Sequence, residues 1–254
     1  MAFFAQTEFD NKLVEMLGAT SKPGQFAARN AVRHIDKAAA IAEIDPEMAA
    51  FRAITAEEES ATAVFHALKR HKYPGSAALR VRDHLQKNAL SPFCLAVAEL
   101  FGTVDQTLAL KPQLRIDDEG ETPLLIIQFH VGKIGLGDRL AMPQPPLNLA
   151  ISKGDQLHDF SEQIQNLATS RKTQSILSHL RQRANLPNEI LYASPHGLPN
   201  VTLNRFLNEQ RRAVKVNIEL FLLIDPYSEH QLFVAQTLRA FLKMVDQLPS
   251  DLEF

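Results

Sequence analysis

The chain has 254 residues, is 45% hydrophobic and 22% charged, and carries a net charge of -2. That is enough chain for a sizeable core in one large domain or two small ones, and a near-neutral balance excludes a global pull toward nucleic acid or anionic membrane. The single cysteine, Cys94, excludes an intrachain disulfide and a metal site built on cysteine pairs.

A first helix is expected over about Glu8–Leu17, ending before the breaker cluster Thr20-Ser21-Lys22-Pro23-Gly24. A second follows from about Gln25 to Ala42 or Glu43. Asp45-Pro46 then fits an N-cap with proline in the first turn, and a third helix runs from there to about His71. A fourth is expected from near Ser76, interrupted at Ser91-Pro92, where the proline restarts a fifth that reaches about Leu100.

Past Lys111 the pattern changes. Gln113–Asp117 alternates, Asp118-Glu119-Gly120 signals a turn, and Leu124–Val131 is apolar and β-branched, which predicts a hairpin. Leu147–Ser152 is a candidate third strand, and the stretch between, with Gly132, Gly135, Gly137 and Pro143-Gln144-Pro145-Pro146, reads as loop. Helical periodicity returns over Asp155–Ala184, and Leu186–Leu198 is irregular. Thr202–Ile224 has helical spacing, with a strand as the alternative for Val216–Ile224, and Glu229–Leu248 forms a last amphipathic helix.

The fold class is therefore mainly α (α+β): an N-terminal helical bundle, a small antiparallel β-hairpin insertion, and C-terminal helices. The division falls at about residues 103–112, giving a bundle over 1–105 and a second part over 106–254 that can pack with the first as one unit. Apolar runs such as Leu220–Ile224 are far too short to span a bilayer, and the opening residues lack a signal-peptide pattern. A soluble cytoplasmic protein is expected, with no membrane association.

Chemistry concentrates in the second and third helices. Arg29-Asn30 followed by His34 holds the residue types that metal-independent RNA cleavage needs. Histidine titrates near neutrality and can take the proton of a ribose 2′-hydroxyl, while arginine grips phosphate through two donors. On an ideal helix, however, Arg29 and His34 stand about 140° apart, so they meet one substrate only at a kinked or crevice-lining helix or across a dimer. The alternative is a solvated Arg29/Arg33 stripe with His34 flanking the core.

The triplet Glu57-Glu58-Glu59 follows. Phe51, Ile54, Glu58, Ala61, Phe65 and Leu68 share one stripe, which places a carboxylate on an apolar face. That position requires a partner: a lysine or arginine of a neighbouring helix, or His34 or Arg29, with Glu58 as orienter. Further on, Lys69, Arg70, Lys72, Arg80, Arg82 and Lys87 make the best candidate phosphate-contacting patch, with a solvated helix end as the alternative. Gly132–Gly137 lacks the spacing of a phosphate loop, Cys94 has a packing context, and His196 and His130 have no recognisable ligand partners. No cofactor and no metal are expected.

Asn30-Ala31-x-Arg33, Ala56-Glu57-Glu58, Ala67-Leu68-Lys69, Tyr73 and His84-x-x-Lys87 together resemble the HEPN superfamily, in particular its AbiV-like abortive-infection branch, over about residues 29–87. Arg183 through Tyr192 can be a returning piece of the same core. Arg29, Asn30 and His34 match the superfamily's Arg–polar–His motif, although that motif usually sits late in the bundle. The resemblance implies a homodimer with metal-independent endoribonuclease activity or non-catalytic RNA binding, in antiphage defence or a toxin–antitoxin system. Two other classes stay open: a helical oligomerisation protein recruiting a protein partner through its β-containing half, and a small-molecule-binding protein with a cleft between the halves.

Overall fold

A computed structural model describes residues 2–108, 111–130, 140–149, 152–153, 156–157 and 203–246. Among them are six α-helices, with a two-strand antiparallel hairpin between the N-terminal bundle and the C-terminal helices. The expected Gly132–Gly137 loop, most of the Asp155–Ala184 helix and the Leu186–Leu198 stretch lie outside the described residues.

Helix α1 (Glu8–Met16) opens with a reciprocal cap in which Thr7 Oγ1 accepts from Asp10 N–H and Asp10 Oδ2 accepts from Thr7 N–H, each at 3.1 Å. A single 3-10 turn, Leu17–Ala19, leads to α2 (Lys22–Ile41). This helix starts inside the expected breaker cluster. Pro23 is pre-organised for a first turn, and residue Ser21 is held from outside: its N–H donates to Asp225 Oδ2 at 2.8 Å and its hydroxyl to Asp225 Oδ1 at 2.5 Å. Helix α3 (Pro46–Arg70) begins where Asp45 Oδ1 accepts from Met48 N–H at 3.0 Å.

The centre of the molecule is α3. Alanines 49, 50, 53, 56, 61, 63 and 67 are all buried on it, and their small side chains let α2 and α5 (Leu203–Ile224) approach closely on different sides. At the start of α2, Gly24 lies so near the Phe221 ring of α5 that a Cβ there would fall 2.5 Å from a ring carbon. Helix α4 (His84–Leu108) also packs on α3, and α6 (Leu232–Asp246) closes the core through Phe241, whose ring meets those of Phe65 and Phe93.

Two sequence expectations fail around α4. Ser76–Ala78 is only a 3-10 turn, and the long helix starts at His84 and passes through Pro92 without restarting. A proline inside a helix costs a backbone hydrogen bond. Here Ala89, Leu90, Phe93, Ala96 and Val97 are buried on both sides of it, so tertiary packing carries the helix across.

Strands β1 (Lys111–Asp117) and β2 (Leu124–His130) pair antiparallel, with Lys111 opposite His130 and Asp117 opposite Leu124. A short β3 (Leu140–Ala141) adds to the other edge of β2. The expected strand at Leu147 is absent over 147–149. Residues 152–153 and 156–157 instead form a small two-strand ladder, β4 with β5, so the helix expected from Asp155 does not include Gln156–Leu157. Leu125 and Ile127 of β2 enter the same core as the helices, and Tyr227 O–H donates to the Leu125 carbonyl at 3.0 Å. The strand alternative for Val216–Ile224 is excluded, since α5 continues to Ile224 with Ile218, Phe221 and Leu222 buried. No described helix is long and apolar enough to cross a membrane.

Candidate functional site

Helices α2 and α3 lie side by side, and toward the N-terminal half of α2 a crevice of about 560 Å³ opens between them. From α2 it is lined by Phe26, Arg29, Asn30 and Arg33, and from α3 by Glu59, Thr62 and His66. The spacing explains the grouping. Residues 26, 29, 30 and 33 form one face of a 3.6-residue helix, and 59, 62 and 66 form another. Across the crevice Asn30 Nδ2 donates to Glu59 Oε2 at 3.1 Å, and Arg33 donates to Asn30 Oδ1 at 2.9 Å. This chain from carboxylate to amide to guanidinium fixes Arg33 at the rim, while Arg29 remains exposed.

His34 does not line this crevice. Its ring is half-buried, and Nδ1 is enclosed without a hydrogen-bond partner among the described residues. Burial lowers its pKa, and the charges of Arg52 and Arg33 lower it further. His66 is the histidine that stands with the arginines. Burial, then Lys69, holds its pKa below the usual value as well, so it is largely neutral at pH 7 and able to accept a proton. The sequence signal for His66 was its place seven residues after Glu59, on the same face of α3, which becomes visible only once Glu59 is known to face α2.

Glu58 is not brought to Arg29 or His34. It points the other way, into the start of α4, where Lys87 Nζ lies 3.0 Å and His84 Nδ1 2.7 Å from Oε2, and Asn88 Nδ2 donates to Oε1 at 3.1 Å. Neighbours on a helix are turned about 100° from each other, so adjacent glutamates serve different interfaces. Burial pushes the Glu58 carboxyl up, but the His84 hydrogen bond and the Lys87 charge outweigh it and the net shift is downward. The apolar stripe therefore carries a structural ion pair, with the lysine of a neighbouring helix as partner.

The expected basic patch is partly consumed by such pairs. Lys87 is buried against Glu58, Arg70 pairs with Asp225 at 3.2 Å, and Arg80 pairs with Asp83 at 3.0 Å. Lys69 reaches the Ala77 carbonyl at 3.5 Å, and Lys72 and Arg82 are exposed. Charges that looked like one run in sequence thus point to separate partners.

A second buried carboxylate escaped the sequence reading. Asp10 of α1 is fully enclosed and accepts from Lys215 at 2.6 Å and Arg211 at 3.1 Å, both on α5. Burial opposes its ionisation, yet Lys215, the Gln6 N–H and the Thr7 side chain bring its pKa below the ordinary value. Among the described residues no group of three or more His, Cys, Asp or Glu side chains is placed to hold a metal ion. Cys94 is partly buried against the core, and burial pushes its thiol up to about 12, which leaves it unreactive at neutral pH.

The fold and the crevice define a mainly helical protein with a polar, cation-rimmed groove on its α2/α3 face. No family model, curated protein or solved structure matches the chain.

Proposed function

We propose that the α2/α3 crevice binds the phosphodiester backbone of RNA, and that the chain is an HEPN-like RNA-binding protein or metal-independent endoribonuclease. The observation that supports this is the convergence of Arg29, Asn30, Arg33 and His66 on one open groove. Two guanidiniums supply the planar donors that phosphate takes best. Phe26 stands at the same groove 63% exposed, an uncommon position for a phenylalanine, and offers its ring for a base of single-stranded RNA to stack on.

In the cleavage reading, neutral His66 takes the 2′-hydroxyl proton. The 2′-oxygen then attacks phosphorus and the bond to the 5′-oxygen breaks, leaving a 2′,3′-cyclic phosphate and a 5′-hydroxyl that receives its proton from the imidazolium. Arg29 and Arg33 stabilise the charge that develops on the phosphoryl oxygens. Glu59 acts through Asn30 as a positioning residue for Arg33. Homodimerisation and a role in antiphage defence or a toxin–antitoxin pair belong to the same proposal and rest on the sequence resemblance.

The test is incubation of purified protein with single-stranded RNA in EDTA, with binding and cleavage followed separately. Arg29→Ala with Arg33→Ala is expected to weaken binding and reduce its salt dependence. His66→Ala should remove cleavage while sparing binding, and His34→Ala should have the smaller effect. Binding untouched by the double arginine variant would remove the proposal, and binding without cleavage would leave the non-catalytic form.

A further inference from the structure

On another face of α3 from the arginine-lined groove lies a second, partly open cavity of about 340 Å³, lined by α3, α4, the hairpin, α5 and α6. Its wall is almost wholly apolar, with Phe65, Leu90, Phe93, Leu220 and Leu238 among its side chains. Among the described residues, one carboxylate, Glu219, and one thiol, Cys94, are the ionisable groups in that wall. The volume falls within the range of small-molecule sites. An apolar cavity of about 150 Å³ holds benzene, so this one suits a molecule of roughly a dozen non-hydrogen atoms.

Glu219 is the unusual element. Its side chain is only 14% exposed, and the cation one turn before it, Lys215, stays 4.0 Å away, beyond hydrogen-bond reach. Lys215 is already engaged by Asp10 at 2.6 Å. Burial accordingly raises the Glu219 carboxyl to about 7, with Lys215 lowering it and Asp10 raising it by lesser amounts. The neighbouring Cys94 thiol, pushed up to about 12, contributes no charge. An ionised carboxylate at an apolar wall is costly unless a cation meets it. A carboxylic-acid ligand would set two acids together, whereas an ammonium head with a hydrocarbon tail would satisfy both the charge and the wall.

We propose that this cavity is a binding site for a small amphipathic amine, its hydrocarbon part lying between α4, α5 and α6 and its ammonium paired with Glu219. The site is independent of the RNA groove and stands or falls separately from it.

The experiment is calorimetric titration of the full chain with n-octylamine at pH 8, where Glu219 is largely ionised, against n-octanol and octanoate as probes of equal tail length. Saturable one-to-one binding of octylamine is expected, with octanol weaker by roughly tenfold or more and octanoate weakest, because a charge-assisted hydrogen bond is lost. Glu219→Gln should weaken octylamine by roughly tenfold to a hundredfold and leave octanol little changed. Val234→Phe, which fills the cavity from α6, should weaken all three probes, and Arg29→Ala with Arg33→Ala should alter none. Absence of octylamine binding to the native chain overturns the proposal. So does equal affinity for the three probes, or undiminished octylamine binding by either cavity variant. Circular dichroism of each variant separates a lost site from a lost fold.

Discussion

Glu58 and Lys87 offer the sharpest test of how this core is held. Both side chains are almost sealed from solvent, 8% and 7% exposed, with oxygen and nitrogen 3.0 Å apart. At an effective dielectric constant of about 20 the gross attraction at that separation is about 5 kcal/mol, most of it offset by the cost of taking both ions out of water. Removing one partner leaves that cost standing on the other. Glu58→Gln is therefore expected to lose about 3 kcal/mol, since it strands the buried ammonium while keeping the contact with Asn88. Lys87→Met should lose less, about 2 kcal/mol, because His84 and Asn88 still serve the carboxylate. The double variant should fall short of the sum by about 2 kcal/mol. Urea unfolding followed by far-ultraviolet circular dichroism measures all four corners of the cycle. A second readout comes from acidification. The Glu58 pKa is lowered in the folded state, so its stabilisation is present above the ordinary value of 4.5 and drains away as pH falls through the folded value. Native protein should lose this increment on acidification and Glu58→Gln should not. Additivity within about 0.5 kcal/mol, or parallel acid profiles, would refute the assignment of this pair as the structural partner of the α3 stripe.

Glu219 predicts the opposite pH trend. Its carboxyl is raised from 4.5 to about 7, so its favourable contribution is complete below 4.5 and is lost as pH rises through about 7, a change of about 3 kcal/mol. Unfolding free energies at pH 5 and pH 9 should show that slope in native protein and lose it in Glu219→Gln; an unchanged slope sinks the assignment. Asp10→Asn should cost about 3 kcal/mol by stranding Lys215 and Arg211, and limited proteolysis should then release the segment before α2 first. For Gly24→Ala, the helix preference of alanine, worth about 0.5–1 kcal/mol, is opposed by a Cβ 2.5 Å from the Phe221 ring. A net loss of about 1–3 kcal/mol in thermal or urea unfolding is expected, and a gain would mean that α2 and α5 are not in close contact there.

What local sequence determines is visible element by element. Asp45 at a helix start, the alanine-rich periodicity that follows it, and the turn Asp118-Glu119-Gly120 after an alternating run each act over a few residues, and each reappears as a cap, a helix or a hairpin. Even Glu58 could be placed on an apolar stripe, because periodicity alone assigns a residue to a face. Periodicity does not say which neighbour that face will meet. Only the packing of α2 and α4 on different sides of α3 decided that Glu59 holds Asn30 while Glu58 holds Lys87, and that His66 joins the arginines in place of His34. The same holds for Pro92, carried inside a helix by buried residues on both sides, and for Ser21, whose hydroxyl is claimed by Asp225 of the C-terminal half. Each of these outcomes depends on a partner far away in the chain, and the energy that selects it is burial, which only the assembled core supplies.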